Sequence, residues 1–185
     1  MQFEKEIHQL YHQAFPFLER VHFWILKNMV KRKKAQFIPI LSSGNFVGFF
    51  FVVENSSLTY IFFFALRKEY RNLGYGGKAL DQYLSTHSDK RICLLTERID
   101  KDEPKNIRVR RKNFYLRHGL KETGCYFKEN HVWYEMLCNF EHFDENEYSN
   151  LMKEAFSSLE YHFFFNPQES IKKLDNYSQE EISNL

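Results

Sequence analysis

The stretch Thr59–Gly77, TYIFFFALRKEYRNLGYGG, constrains this chain more than any other. Tyr60 to Phe64 is an unbroken apolar run preceded by the turn-forming Asn55, Ser56 and Ser57, a pattern that predicts a buried strand. Ala65 and Leu66 close the run. A charged loop from Arg67 to Arg71 follows, and Gly74-Tyr75-Gly76-Gly77 then opens a helical pattern. A strand, a basic loop, glycines and a helix start together make an anion site. The first-turn N–H groups of a helix have no partner within it, its dipole favours negative charge, and glycine lets a ligand reach the backbone. The expected ligand carries phosphates.

Two phosphate-binding patterns compete for this segment. Gly74, Gly76 and Ala79 fit G-x-G-x-x-A, and Glu97 lies near the spacing of a ribose-binding acid, as in a dinucleotide fold. That fold runs its strand almost directly into the first glycine, whereas here Arg67 to Leu73 intervene. Downstream the chain offers one more helix and then two antiparallel strands rather than further βαβ units. A P-loop is excluded because no Gly-Lys-Ser/Thr follows.

The segment instead resembles motif A of the GNAT superfamily of N-acetyltransferases, Arg/Gln-x-x-Gly-x-Gly/Ala after a strand. Arg71, Gly74 and Gly76 match it, and Phe64-Ala65-Leu66 looks like the family's bulged fourth strand. The resemblance implies an acyl-CoA site built from Phe64, Ala65, Leu66, Arg71, Asn72, Leu73, Gly74, Tyr75, Gly76 and Gly77. Acetyl-CoA is the implied co-substrate.

Composition bounds the rest. The 185 residues, 43% hydrophobic, suit one domain with a sizeable core. A net charge of +2 is too small to point to nucleic acid or a membrane. Cys93, Cys125 and Cys138 are widely spaced with no C-x-x-C, which indicates reduced core residues rather than disulfides or zinc. The eight histidines lack zinc-like spacing, so no metal is assigned. With neither a signal-like N-terminus nor a run long enough to span a bilayer, the expected location is the cytoplasm.

In chain order, Ile7, Leu10, Tyr11, Ala14 and Phe15 recur at helical spacing, and Pro16 ends that helix. A second helix is expected to start near Leu18 to Arg20 and to run through Val21, Trp24, Ile25 and Met29. Its approach, Phe15-Pro16-Phe17-Leu18-Glu19-Arg20, resembles the F-P-x-x-E-R of a bacterial GNAT subgroup. There the first two helices line the acceptor side, so Glu19 or Arg20 is either an acceptor contact or a surface charge. Lys31 to Lys34 read as a solvated helix end. Ala35–Leu41 and Asn45–Val53 flank a Ser42-Ser43-Gly44 hairpin signal and join the Tyr60 strand in an antiparallel meander. Their continuous Phe, Val and Ile character predicts helices over both faces. The glycine-led helix ends near His87, and the next strand, Arg91 to Glu97, should run parallel to the Tyr60 strand.

Asn106 to about His118 reads as a helix ended by Gly119. Arg108, Arg111 and Tyr115 lie at i, i+3 and i+7 on one face of it. Phe114-Tyr115-Leu116-Arg117-His118-Gly119 resembles the family's Y-x-x-x-G-F, whose Tyr protonates the departing thiolate. Leu120 replaces the family's aromatic, and Arg108 stands where Asn often contacts pantetheine. Histone-type members carry a Glu early in the fourth strand, whereas Tyr60 matches that position here. Glu97, at the mouth between the parallel strands, is a base, an anchor for a cationic acceptor, or an ion-pair partner of Arg108 or Arg111.

A final hairpin, Leu120–Phe127 and Val132–Cys138, completes the resemblance at residue 139. Residues 140–185 form an extension with Asp144 capping a helix through Tyr148, Leu151, Met152 and Ala155, then one short helix beyond Pro167. It covers the acceptor groove, mediates homodimerisation or pads the domain, and padding is favoured. The expected fold is α/β, a mixed, mostly antiparallel sheet with helices on both faces and a helical C-terminal extension. The resemblance implies direct transfer of an acetyl group to a primary amine of a small-molecule or peptide acceptor in a ternary complex. A backbone N–H near Leu66 would polarise the thioester, with Tyr115 as acid and Arg108 and Arg111 near the co-substrate. The alternative is a non-catalytic acyl-CoA-binding protein on the same fold.

Overall fold

The computed structural model describes residues 2–17, 20–99, 107–129, 132–157, 160–161 and 171–173. Ser43 and Gly44 adopt positive φ of 49° and 80°, the conformation a tight two-residue hairpin turn needs. They fold β1 (Ala35–Ser42) back on β2 (Asn45–Glu54). The Asn55 carboxamide oxygen then accepts from the N–H groups of Ser57 and Leu58, both at 3.0 Å, and turns the chain into β3 (Thr59–Leu66). Pro39 sits in β1, an edge strand, where its missing N–H is tolerated.

Phe49, Phe50 and Phe51 are 0, 2 and 0% exposed, so both faces of β2 are covered. Burying each ring contributes about 1.5–3 kcal/mol. One face packs against α1 (Glu4–Ala14), α2 (Phe23–Lys31) and α5 (Glu145–Ala155). The other packs against α3 (Tyr75–Thr86) and α4 (Ile107–Arg117). With β4 (Ile92–Glu97), β5 (Lys121–Glu129), β6 (Val132–Cys138) and β7 (Ile171–Lys173), the sheet has seven strands in the order β1-β2-β3-β4-β6-β5-β7. The β3–β4 pair is parallel and the other pairs are antiparallel.

Two expectations are corrected, the start of the second helix and the place of the β3 bulge. The second helix begins at Phe23, not near Leu18, and Trp24 is 62% exposed, because the buried stripe runs through Ile25, Leu26 and Met29. Leu18 and Glu19 lie outside the described residues. The β3 bulge falls at Phe62, between the Phe51↔Phe63 and Val52↔Ile61 pairs, rather than at Phe64-Ala65-Leu66. Past Pro167, residues 171–173 form β7, a short strand on the edge of β5, and the short helix expected beyond Pro167 otherwise lies outside the described residues. Helix α5 starts as read, with the Asp144 carboxylate accepting the Asn146 N–H at 2.8 Å. It buries Tyr148, Leu151, Met152 and Ala155 in the same core as α1 and α2.

Candidate active site

The site begins where two strands part. β3 and β4 pair only at Thr59↔Ile92 and Tyr60↔Cys93, after which no further register joins them. Residues Phe62–Leu66 therefore border an opening on the β4 side. In an antiparallel ladder alternate residues turn their N–H toward the partner strand. The Arg67 N–H donates to the Val47 carbonyl at 2.9 Å, so the N–H of Leu66 turns the other way, toward the opening. Gly48, paired with Leu66, keeps this strand end in place. A Cβ there would lie 2.2 Å from the Ala65 carbonyl oxygen, a backbone atom with nowhere to go.

Beyond Leu66, a turn of 3-10 helix at Lys68–Tyr70 leads into Asn72 at φ 60° and Gly74 at φ 82°. Gly74 is the N-cap of α3, and the first turn of that helix carries no acidic residue. The Arg71 Nε donates to the Leu66 carbonyl at 3.0 Å, and Arg110 donates to the Asn72 side chain at 3.3 Å. Leu73 is 63% exposed on the same loop. Gly76 and Gly77 serve packing. A Cβ on Gly76 would meet Leu66, Phe114 and Phe64, and one on Gly77 would stand 2.7 Å from the His118 ring. His118 in turn pairs with Asp81 at 2.5 Å. These two glycines let α3 approach α4 and β3 closely.

The third wall is α4. Its Tyr115 is buried beside Leu80 and Leu94, and burial pushes its phenol up against a weaker downward pull from Arg111. The hydroxyl therefore stays protonated at neutral pH. Arg108 and Arg111, on the Tyr115 face, both pair with Glu97 at the end of β4, Arg111 at 3.2 Å. The Glu97 side chain is only 15% exposed, and each of its oxygens meets a guanidinium. Of the three roles open to Glu97, the geometry displays the ion pair. The next residue, Lys112, pairs with Glu135 of β6 at 2.6 Å and with Glu122. Glu135 is 3% exposed, and burial raises its carboxyl despite Lys112.

The family model described as "Acetyltransferase (GNAT) family" matches residues 4–119, the stretch that contains this opening and its helices. This chain belongs to the GNAT acetyltransferase family. Among solved structures, a Bacteroides thetaiotaomicron protein described as an acetyltransferase from the GNAT family superposes with a TM-score of 0.66. It is 25% identical, with 81% of this chain and 87% of that one covered. A Bacillus subtilis acetyltransferase in complex with CoA shares the fold, with a TM-score of 0.53 and 11% identity over 75% of this chain and 93% of that one. Among curated proteins, the DNA mismatch repair protein MutS of Clostridium botulinum is 28% identical over 166 residues. That match takes in 82% of this chain but 17% of the relative, so the GNAT chain spans about a sixth of the length of these relatives.

Among the residues read as a site, the structure brings Arg71 to Leu66, Gly76 against Phe64 and Leu66, and Arg108 and Arg111 to Glu97, while Tyr115 lies in the core with Leu80 and Leu94. Arg20 lies beyond the end of α1 and bonds His12 of that helix instead. Two features went unread in the sequence. Gly48 was legible as a lone glycine within an apolar strand. The Lys112–Glu135 pair had no signal, because its members are 23 residues apart on elements whose packing periodicity does not reveal. A separate polar pocket of about 320 Å³ lies between β5 and residues 138–143. Its Lys121 and Glu141 pair with each other, and none of its lining residues is among those read as the site.

Proposed function

We propose that this GNAT chain transfers an acetyl group from acetyl-CoA to a primary amine by direct attack. The parting of β3 and β4 next to a glycine-capped helix start carries the reading. Arg71 and the first-turn N–H groups of α3 would hold the diphosphate, and the residues from Phe64 to Leu66 would flank the pantetheine arm. The Leu66 N–H would stabilise the oxyanion, and Tyr115 would protonate the departing sulfur. The co-substrate supplies the activated thioester. Glu97 would hold Arg108 and Arg111 in place rather than take the amine's proton, which leaves to solvent. F-P-x-x-E-R and the arginines of α4 would mark a bacterial subgroup. Among the described residues no helix is long and apolar enough to cross a membrane. We read the MutS similarity as that of a shared segment, with no nucleic acid taking part in the transfer.

Calorimetric titration with acetyl-CoA, followed by thiol release in the presence of an amine panel, tests the reading. Micromolar binding with amine-dependent release is expected. Binding without release from any amine would leave the non-catalytic alternative, and absence of binding would remove both.

A further inference from the structure

Cys93 is the last residue that β4 pairs with β3, opposite Tyr60, and on its other side it pairs with Cys138 of β6. Asn139 clamps the register there. Its backbone N–H donates to the Ile92 carbonyl at 3.0 Å, and its side-chain oxygen accepts the Ile92 N–H at 2.8 Å. In an antiparallel ladder, a bond from the residue after one member of a pair to the residue before the other marks a non-hydrogen-bonded pair. In such a pair the Cα atoms approach to about 4.5 Å. The bond from the Arg98 N–H to the Trp133 carbonyl, at 2.8 Å, keeps the same phase around the Glu97↔Tyr134 pair. Paired side chains share a face, and both cysteines belong to one core, 0 and 2% exposed. A disulfide spans Cα separations of about 4.4–6.8 Å, so the two sulfurs can join with little movement of either strand.

Access comes from the Cys138 side. Cys138 lines the pocket between β5 and residues 138–143, and its thiol donates to the Phe140 carbonyl at 3.0 Å. Cys125 lines that pocket too, but the β5 bulge between Glu122 and Tyr126 leaves Lys121, not Cys125, opposite Cys138. Burial pushes the thiols of Cys93 and Cys138 up, and a charge on Cys138 would raise Cys93 further. Both therefore rest as thiols and react slowly.

We propose that Cys93 and Cys138 are a modification site, at which hydrogen peroxide entering through the pocket forms a reversible cross-strand disulfide in the folded protein. The Cys138 sulfur attacks one peroxide oxygen, the O–O bond breaks, and the other oxygen leaves as water with the thiol proton. The Cys93 sulfur then displaces hydroxyl from the resulting sulfenic acid. The S–S bond forms, the S–O bond breaks, and the Cys93 proton leaves in a second water. The two thiols supply the two electrons that the peroxide takes up, and a dithiol reverses the link by exchange. The link ties β4 to β6 at the point where β3 and β4 part.

Millimolar hydrogen peroxide on the folded protein, alkylation in denaturant and peptide mass spectrometry test this. A Cys93–Cys138 linked peptide that dithiothreitol releases is expected, both in the wild type and in Cys125→Ser. The link should raise Tm by roughly 5–10 °C, because it restricts the unfolded chain. In Cys93→Ala the linked peptide should vanish and peroxide should leave Tm unmoved; should that variant not fold, the wild-type and Cys125→Ser maps carry the test. Cys93 and Cys138 both still alkylated after peroxide would overturn the proposal. So would a link that includes Cys125, joins two molecules, forms only in denaturant or lowers Tm.

Discussion

Where β3 and α3 border the opening, what they present is backbone: the outward N–H of Leu66, the positive φ of Asn72 and Gly74, and the free N–H groups of a helix start. β4 and α4 contribute side chains instead: the Glu97–Arg108–Arg111 cluster, the buried Tyr115 and Lys112, which pairs with Glu135 of β6. Backbone groups survive most substitutions because every residue carries them, so the first wall breaks only where geometry demands glycine. The second wall breaks one side chain at a time. Each change below tests that contrast.

The largest effect is expected on the backbone wall, at a residue that touches no substrate. Gly48→Ala places a methyl 2.2 Å from the Ala65 carbonyl oxygen, so β2 and β3 must separate. Overpacking of this kind costs about 3 kcal/mol, or roughly 6–12 °C in Tm for a chain of this size. Thermal melting by circular dichroism measures it, and a wild-type Tm would show that the strand end yields freely.

On the side-chain wall, Tyr115→Phe keeps the packed ring and removes only the hydroxyl. We expect kcat to fall about 10²-fold, with Tm and acetyl-CoA affinity little altered. A variant with normal turnover would make water the proton donor. Arg71→Ala crosses the contrast, as a side chain that serves the backbone wall. Charge-assisted bonds to a diphosphate are worth about 1.5–3 kcal/mol, so calorimetry should show CoA binding weakened roughly tenfold or more. Unchanged affinity would leave the loop N–H groups as sufficient.

The smallest effect is one of pH, to which Lys112 of the side-chain wall contributes together with Tyr126 of β5. Burial, helped by Glu135, pushes the Tyr126 phenol from 10.0 up to about 12. Lys112 is also raised, since its bonds to Glu122 and Glu135 outweigh burial, which acts the other way. Both groups hold their protons more tightly folded than unfolded. Their stabilisation is therefore complete below about pH 10 and lost as pH rises through the folded values. Tm should stay level up to about pH 10 and then decline, and in Lys112→Met the decline should be shallower. A Tm that is flat to pH 12 would dissolve the polar anchoring of α4.

Much of the architecture was legible because its signals are local. The Ser43-Gly44 turn, the Asp144 cap, the glycine start of α3 and the shared face of Arg108, Arg111 and Tyr115 each depend on residues within one or two turns of chain. The start of the second helix was misread for the same reason. Periodicity through Val21 and Trp24 suited a longer helix, but the core accepted Ile25, Leu26 and Met29 and left Trp24 in solvent. Glu97 was readable as a charged strand end, but not as the partner of two arginines, because which groups meet across a fold is set by packing.

By itself the sequence determined the order of elements through α5, the buried character of the Phe-rich strands, the glycine start of α3 and the family resemblance that the match over residues 4–119 bears out. All of these rest on short-range geometry and on the cost of exposing apolar surface. Only the tertiary structure decided that β3 and β4 part after Tyr60 and Cys93, and that the bulge falls at Phe62. It alone decided that Gly76 and Gly77 serve helix packing. Strand register and helix approach are chosen by the whole core at once. A shift of one residue exchanges the faces of a strand without altering any local preference.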